Sequence, residues 1–312
     1  MKNFFRKTIR TLLGRRAELC ILNYSTAQRG APNVIIRILS LLLCAPSALI
    51  AAFQKAVPYA EMDVTSRCSL NCRECSHFIP KHRQAGSARD YDAKALLENI
   101  DLFTAMIHKC LTFRVLGGEP LLHRDLHIII RRLAAEPKIK NVQIVTNGTI
   151  LPGTELLNAM KHKKITVSIS NYGPLSAKKD ELAEMLHKHG VHVQIAPSQP
   201  LWREMNGLVP RGYSPEKMKK IFKGCNDDCK SLYDGKLYLC PQALHGALLG
   251  LVKENHREYI DLRACSPKEF RDRINALYTK PDTFTTCYYC AGGDPGFARQ
   301  VPCAEQAGSL SV

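Results

Sequence analysis

Thirteen cysteines stand in a chain of 312 residues, and their spacing is the first sign of chemistry. Cys68, Cys72 and Cys75 follow the pattern C-x3-C-x2-C. Three thiolates on one short loop can converge on a single metal centre. They leave a fourth coordination position unfilled, which in a four-iron cluster means one iron open to an outside ligand. Structural zinc is usually closed by four ligands, and His77 offers a fourth, so zinc is the competing reading. A second group comprises Cys225, Cys229, Cys240, Cys287 and Cys290, and zinc competes there as well. Cys20, Cys44, Cys110 and Cys265 read as buried apolar thiols. A disulfide-rich secreted protein is disfavoured: the cysteine count is odd, the chain needs no staples, and no signal peptide with a clear cleavage site is visible.

The elements that must position these residues alternate. Residues 60–64, 111–116, 141–145, 165–170 and 191–195 read as strands; residues 91–110, 125–136, 154–162 and 176–189 read as helices. Strand–helix alternation implies a parallel sheet with crossover helices. Polar and glycine residues fall where strands end: Cys68, Gly117-Gly118-Glu119-Pro120, Asn147-Gly148, and Ser168 and Ser170. In barrels of this type the C-terminal strand ends carry the chemistry. Five strands and a candidate sixth predict a partial (β/α)6 TIM-like barrel over residues 58–205. Beyond about residue 210 the alternation stops. A short basic helix at 215–223 precedes a hairpin, Ser231–Leu239, with Asp234-Gly235 at its turn. Cys240-Pro241 follows, and Cys287-Tyr-Tyr-Cys290 forms a knuckle near the end. Residues 206–312 are therefore expected to be a small, cysteine-organised domain of their own.

Composition bounds the rest. A hydrophobic share of 45% is that of a globular protein with a real core, which excludes disorder and collagen-like structure. The net charge is +16. Residues 1–57 hold nine Lys/Arg against the single acid Glu18. Phe5, Ile9, Leu12 and Leu13 recur at helical spacing opposite Lys2, Arg6, Lys7, Arg10, Arg15 and Arg16, the pattern of a basic amphipathic helix suited to an anionic membrane surface or to packing on the body. Residues 34–53 are almost wholly apolar, but Arg37 and Pro46 interrupt them, and the clean run from Ile38 falls short of the ~20 residues of a span. A helical hairpin turning at Ala45–Pro46 is expected. The chain is expected to be cytoplasmic, with peripheral contact to the inner membrane face through residues 1–57. No nucleic-acid-binding module with aromatic platforms is visible, so nucleic acid is set aside as a partner.

The three-cysteine loop together with Gly117-Gly118-Glu119-Pro120 resembles the radical S-adenosylmethionine (SAM) enzymes over roughly residues 58–300. The resemblance implies a four-iron cluster on Cys68, Cys72 and Cys75, and SAM chelated at the open iron. It implies that Gly117, Gly118 and Glu119 help to hold the methionine moiety, with Asn147, Ser168 and Ser170 near the ribose or the substrate. One departure is Glu74, where the wider family commonly has an aromatic residue before the third cysteine. The C-terminal group resembles the auxiliary-cluster domains called SPASM or, in shorter form, twitch. That implies a second four-iron cluster on Cys225 or Cys229 with Cys240, Cys287 and Cys290. Cys303 is then a candidate hydrogen-atom donor or a spare thiol.

The activity so implied is reductive cleavage of SAM to a 5′-deoxyadenosyl radical, followed by hydrogen abstraction from a substrate C–H bond, with electrons from a flavodoxin- or ferredoxin-type donor. The context Cys75-Ser-His-Phe78 and Leu116–His123 looks like a bacterial subgroup of glycan pathways, which points to a small-molecule or sugar-containing substrate undergoing oxidation, epimerisation or dehydration. A maturase of ribosomally made peptides is the rival enzyme, and a zinc- or nucleic-acid-binding protein the non-enzymatic alternative. His77, His123 and the tyrosines near the second cysteine group are candidate substrate contacts by location.

Overall fold

The computed structural model of the chain describes residues 17–21, 56–198, 200–204, 207–225, 229–279, 283–290 and 300–308. The amphipathic helix and the apolar hairpin expected within residues 1–57, and Cys44, lie outside these, apart from a buried helical segment at 17–21. Among the described residues no helix is long and apolar enough to cross a membrane.

Five parallel strands and their crossover helices form the body. They are β1 (Val57–Asp63), β2 (Cys110–Leu116), β3 (Ile139–Thr146), β4 (Ile165–Ile169) and β5 (His192–Ile195). A short helix, α1 (Ile79–Gln84), follows the cysteine loop; α2 (Ala93–Met106), α3 (Leu126–Ala135), α4 (Thr154–Met160) and α5 (Lys179–Lys188) connect the strands. The Asp92 side chain accepts the Ala95 amide at 2.9 Å and so caps the start of α2.

The register explains why this sheet has two different faces. Ala60, Phe113, Val142 and Ile165 lie in one row across β1–β4, and Met62, Val115, Ile144, Val167 and Val193 in another. Because side chains alternate along a strand, these rows share a face. That face packs against Leu96, Ile100 and Phe103 of α2, Ile129 and Leu133 of α3, Leu157 of α4 and Leu182 and Leu186 of α5 to form the main core. The intervening rows are polar. Tyr59, Thr112 and Asn141 form one; Glu61, Arg114, Gln143, Thr166 and His192 form the next. The helices thus cover the apolar face, and the polar rows line the inner face of the curved sheet.

The hairpin β7 (Ser231–Tyr233) and β8 (Lys236–Tyr238) does not stand apart. Strand β7 pairs in parallel with β1, Glu61 opposite Ser231, and β9 (Tyr259–Asp261) extends the sheet beyond β8. The order is β5-β4-β3-β2-β1-β7-β8-β9. Asp234 and Gly235 both have positive φ, as the tight turn requires, and the Gly235 amide donates to Asn99 of α2. No closed barrel forms among the described residues. The sixth strand expected after β5 is β6 (Leu201–Arg203), and it pairs antiparallel with β10 (Gln300–Pro302) instead of joining β5. The parallel neighbour that extends the five-stranded run is β7, on the opposite edge. Three further helices complete the C-terminal part: α6 (Pro215–Gly224), α7 (Pro241–Leu248) and α8 (Pro267–Thr279).

Candidate active site

The cysteine loop leaves the C-terminal end of β1 and is fixed by the end of β2. The Gly118 amide donates to the Thr65 carbonyl and the Glu119 amide to the Arg67 carbonyl, both at 2.8 Å. The two glycines are required for that approach. A Cβ on Gly117, whose φ is +144°, would lie 2.3 Å from the Thr65 carbonyl oxygen, and one on Gly118 would lie 2.1 Å from that of Arg67. The bare backbone admits the neighbouring loop itself, which sharpens the expectation that it was needed for a ligand. Glu119 is fully buried. Its carboxylate accepts from the Asn147 amide at 2.7 Å, the Thr146 hydroxyl at 2.8 Å and the Leu121 amide at 3.1 Å. Burial pushes its pKa up to about 7 against those three donors. Asn147 closes the ring: its side-chain amide donates to Ser69 Oγ at 2.9 Å and lies 3.6 Å from Cys68 Sγ. The ends of β1, β2 and β3 are thus one hydrogen-bonded unit around Cys68.

The three thiols act on one another electrostatically. Burial pushes Cys68, Cys72 and Cys75 each up to about 11, and neighbouring thiols of the set add to the rise. Three thiols with raised pKa values on one loop, Cys72 buried and Cys68 and Cys75 half-buried, need a positive centre among them before they can ionise together. The far end of the chain covers this loop. The Arg73 amide donates to the Glu305 carbonyl, the Asn71 amide to Gln306 Oε1 and the Ala307 amide to the Asn71 carbonyl, each at 2.7 Å, and Gln306 Nε2 points at Cys72 Sγ at 3.4 Å. Cys303 belongs to this segment. Its thiol bonds to Trp202 and raises the pKa of Cys72, so it sits beside the first cysteine group. Tyr172, edge-on to Trp202 at 5.4 Å, senses Cys72, Cys75 and Cys303 together.

Below the loop, the polar row of the sheet forms a floor. Glu61 is buried and accepts from Tyr59 and, at 2.8 Å, from Ser231. The Arg114 guanidinium lies 4.8 Å over the Tyr59 ring and donates to Gln143 at 2.9 Å. Cys229 sits with this group, since it raises both Tyr59 and Arg114. Cys225 and Cys290 add to the burial that pushes Cys287 up to about 12. Buried Glu258 holds the turn before Cys290 by accepting from the Thr286 amide and hydroxyl. Cys240 caps α7 and packs near Tyr238 and Leu244.

The remaining expectations separate. Ser170 bonds to Tyr172 and so reaches the site's edge; Ser168 sits in the register row with Val145 and Gln194. His123 is buried, with Nε2 on the Tyr91 carbonyl at 2.8 Å and Nδ1 accepting the Asp125 amide at 3.2 Å, so both ring nitrogens are engaged within the chain. His77 turns its Nδ1 to Asp63 and His245. Burial pulls that imidazole down, but the Asp63 charge outweighs it and raises the pKa to about 9. Glu61, Arg114, Gln143 and Tyr172 went unread in the sequence. The alternation Thr112-Phe-Arg114 and Asn141-Val-Gln143 carried the signal for the floor; nothing local marked Gln306.

The Radical SAM superfamily profile matches residues 62–227, more than half the chain. The chain belongs to the radical SAM superfamily. A GTP 3',8-cyclase of Moorella thermoacetica is 24% identical over 230 residues, covering 72% of this chain and 65% of that protein. The GTP 3',8-cyclase of Stenotrophomonas maltophilia (strain K279a) is 36% identical over 107 residues, 34% of this chain and 31% of that protein. The chain thus spans less than two thirds of these relatives. The solved structure of anSMEcpe with bound AdoMet aligns at a TM-score of 0.45 and 15% identity, over 74% of this chain and 84% of that one. This radical SAM protein is an enzyme of a family that uses a [4Fe-4S] cluster and SAM, and three cysteine thiols on one loop are a donor set such a cluster takes.

Two predictions follow from the loop anchor. Gly118→Ala drives a Cβ into a backbone carbonyl, so it should cost stability at the upper end of the about 1–3 kcal/mol of overpacking and displace Cys68, read as a lower melting temperature and lost iron. Glu119→Gln turns an amide toward one of three donors and should cost about 1–3 kcal/mol. It should also flatten a pH slope. The folded pKa of Glu119 is raised, so its contribution is present below the ordinary carboxylate range and is lost as pH rises through about 7. Denaturant midpoints between pH 4 and 8 for both proteins measure this.

Proposed function

We propose that this radical SAM enzyme holds its SAM-binding cluster on Cys68, Cys72 and Cys75 and acts on a sugar or sugar-bearing small molecule seated on the polar inner face of the sheet. When bound, the cluster and SAM supply one-electron reduction and a 5′-deoxyadenosyl radical. The chain's own residues do the positioning. Gly117, Gly118 and Glu119 brace the loop, with the Gly-Gly-Glu segment beside the methionine moiety, and Asn147 ties Ser69 and Cys68 to the end of β3. Ser168 and Ser170 stand at the next strand end, toward ribose or substrate. Tyr172, Trp202 and the segment 300–308 shut water out of the mouth. Cys303, beside Cys72, is the candidate hydrogen donor.

The observation that carries the substrate reading is the row Glu61, Arg114, Gln143, Thr166 and His192 across five strands. It offers both charges and several hydrogen-bonding groups at one level, as a polyhydroxylated molecule needs. Relatives named for action on GTP, itself a ribose-bearing molecule, are in keeping with it. A ribosomally made peptide is the second reading. For the second cluster, the grouping of Cys225 with Cys287 and Cys290 favours Cys225 over Cys229 as the fourth partner beside Cys240. Residues 206–312 then act as an auxiliary, twitch-like unit built onto the edge of the sheet at β1. A flavodoxin- or ferredoxin-type reductant and peripheral membrane contact through residues 1–57 complete the proposal; the excess of basic residues there supports the latter.

The test is an anaerobic assay of reconstituted protein with SAM and a strong reductant. 5′-Deoxyadenosine should form and should rise on addition of nucleotide-linked sugars but not of peptide pools. Cys72→Ala should abolish it. Stimulation by peptides alone would transfer the enzyme to the second reading, and product from the Cys72 variant would remove the first. Gln306→Leu deletes an N–H donor aimed at Cys72 Sγ. It should shift that cluster's reduction potential downward, since such bonds favour the reduced form, read by a redox titration of the cluster's spectroscopic signal.

A further inference from the structure

Behind the cysteine loop lies a buried group that the radical chemistry does not use. Asp63 ends β1, His77 follows Cys75, and His245 lies on α7. His77 Nδ1 is 3.1 Å from Asp63 Oδ2, His245 Nε2 is 3.1 Å from the same oxygen, and the two nitrogens are 3.2 Å apart. Asp63 and His245 are almost completely buried.

Protons fill this triangle only by turning two N–H groups, 3.2 Å apart, onto one carboxylate oxygen. His245 Nδ1 lies 3.4 Å from His82 Nε2, His82 Nδ1 lies 3.0 Å from Ser87 Oγ, and Ser87 Oγ lies 3.3 Å from the His82 carbonyl. Taken in one direction every group donates once: His245 to His82, His82 to Ser87, Ser87 to the carbonyl. That order leaves His245 Nε2 without a proton, its lone pair facing a carboxylate at 3.1 Å. Protonating both His245 Nε2 and His77 Nδ1 instead sets two N–H groups side by side. With one proton between them, one nitrogen still faces Asp63 lone pair to lone pair. A cation removes the conflict, because all three atoms then point at it. The triangle has the right size. Tetrahedral zinc with bonds of about 2.0 Å sets its ligand atoms about 3.3 Å apart, close to the three distances here. The chain through His82 is also what a metal-bound imidazole uses to fix its tautomer. Gln242, one turn before His245 on α7, donates to the Ser76 carbonyl at 3.2 Å and keeps a buried Oε1 with no hydrogen-bond partner.

We propose that Asp63, His77 and His245 bind a single divalent cation of the zinc class, separate from both cysteine groups, and that the cation staples the end of β1 and the cysteine loop to α7. His82 is a positioning residue for His245. The site stands on its own geometry and does not depend on the substrate proposed above.

The test is metal analysis of the full-length protein after iron–sulfur reconstitution and exposure to zinc, followed by mild chelation. One zinc per chain should remain, with only nitrogen and oxygen neighbours by zinc X-ray absorption. Asp63→Asn and His245→Asn should lose that zinc while keeping iron and sulfide. Sulfur in the zinc shell, no retained zinc, or equal zinc in wild type and both variants would overturn the proposal. If those variants do not fold, His82→Asn decides: a fall of about 10- to 100-fold in zinc affinity supports the site, and unchanged affinity overturns it.

Discussion

Two backbone hydrogen bonds, from Gly118 and Glu119 to the carbonyls of Thr65 and Arg67, are the constraint on which the rest of the site depends. They lay the end of β2 flat against the cysteine loop at a distance no side chain tolerates. Glu119 then reaches across to β3, where its carboxylate gathers Thr146 and the Asn147 amide. Asn147 in turn returns to Ser69, beside Cys68. The Gly-Gly-Glu segment thus acts first as a brace within the protein. A residue type suited to close approach serves the scaffold and the proposed cofactor contact at one place.

The C-terminal part of the chain is bound into the same unit from two sides. Through β7 and β8 it extends the sheet beside β1, and through residues 300–308 it covers the loop that β1 carries. Each contact joins residues far apart in sequence, with an entropic cost of closure that grows only slowly with their separation. That cost is offset by backbone hydrogen bonds to a loop that would otherwise leave its amides to solvent. The group Asp63, His77 and His245 lies on the same path between loop and C-terminal part. A protein built this way couples the environment of its first thiol group to the folding of the segment 300–308.

The inner face of the sheet carries charge at depth, which is costly unless each group is paired. Here the pairing is internal: Tyr59 and Ser231 serve Glu61, and Gln143 with the Tyr59 ring serves Arg114. These groups are held in fixed directions before any substrate arrives, and that preorganisation is what positioning a small polar molecule demands.

The sequence by itself determined the parallel α/β body, the placing of Cys68, Cys72 and Cys75 on one loop after β1, and the placing of Gly117–Glu119 at a strand end. Each of these is local: strand–helix periodicity, close spacing on one loop, and a turn after a strand. The N-terminal extension lies outside the described residues. Only the tertiary structure decided that Cys229 sits by Tyr59 and Arg114, that Cys303 and Gln306 return to the first thiol group, that β6 pairs with β10 and not with β5, and that His123 bonds to the Tyr91 carbonyl while His77 meets His245. Those outcomes depend on pairings between distant segments, set by register and by where buried polar groups find partners. Residue type and spacing along the chain do not encode them.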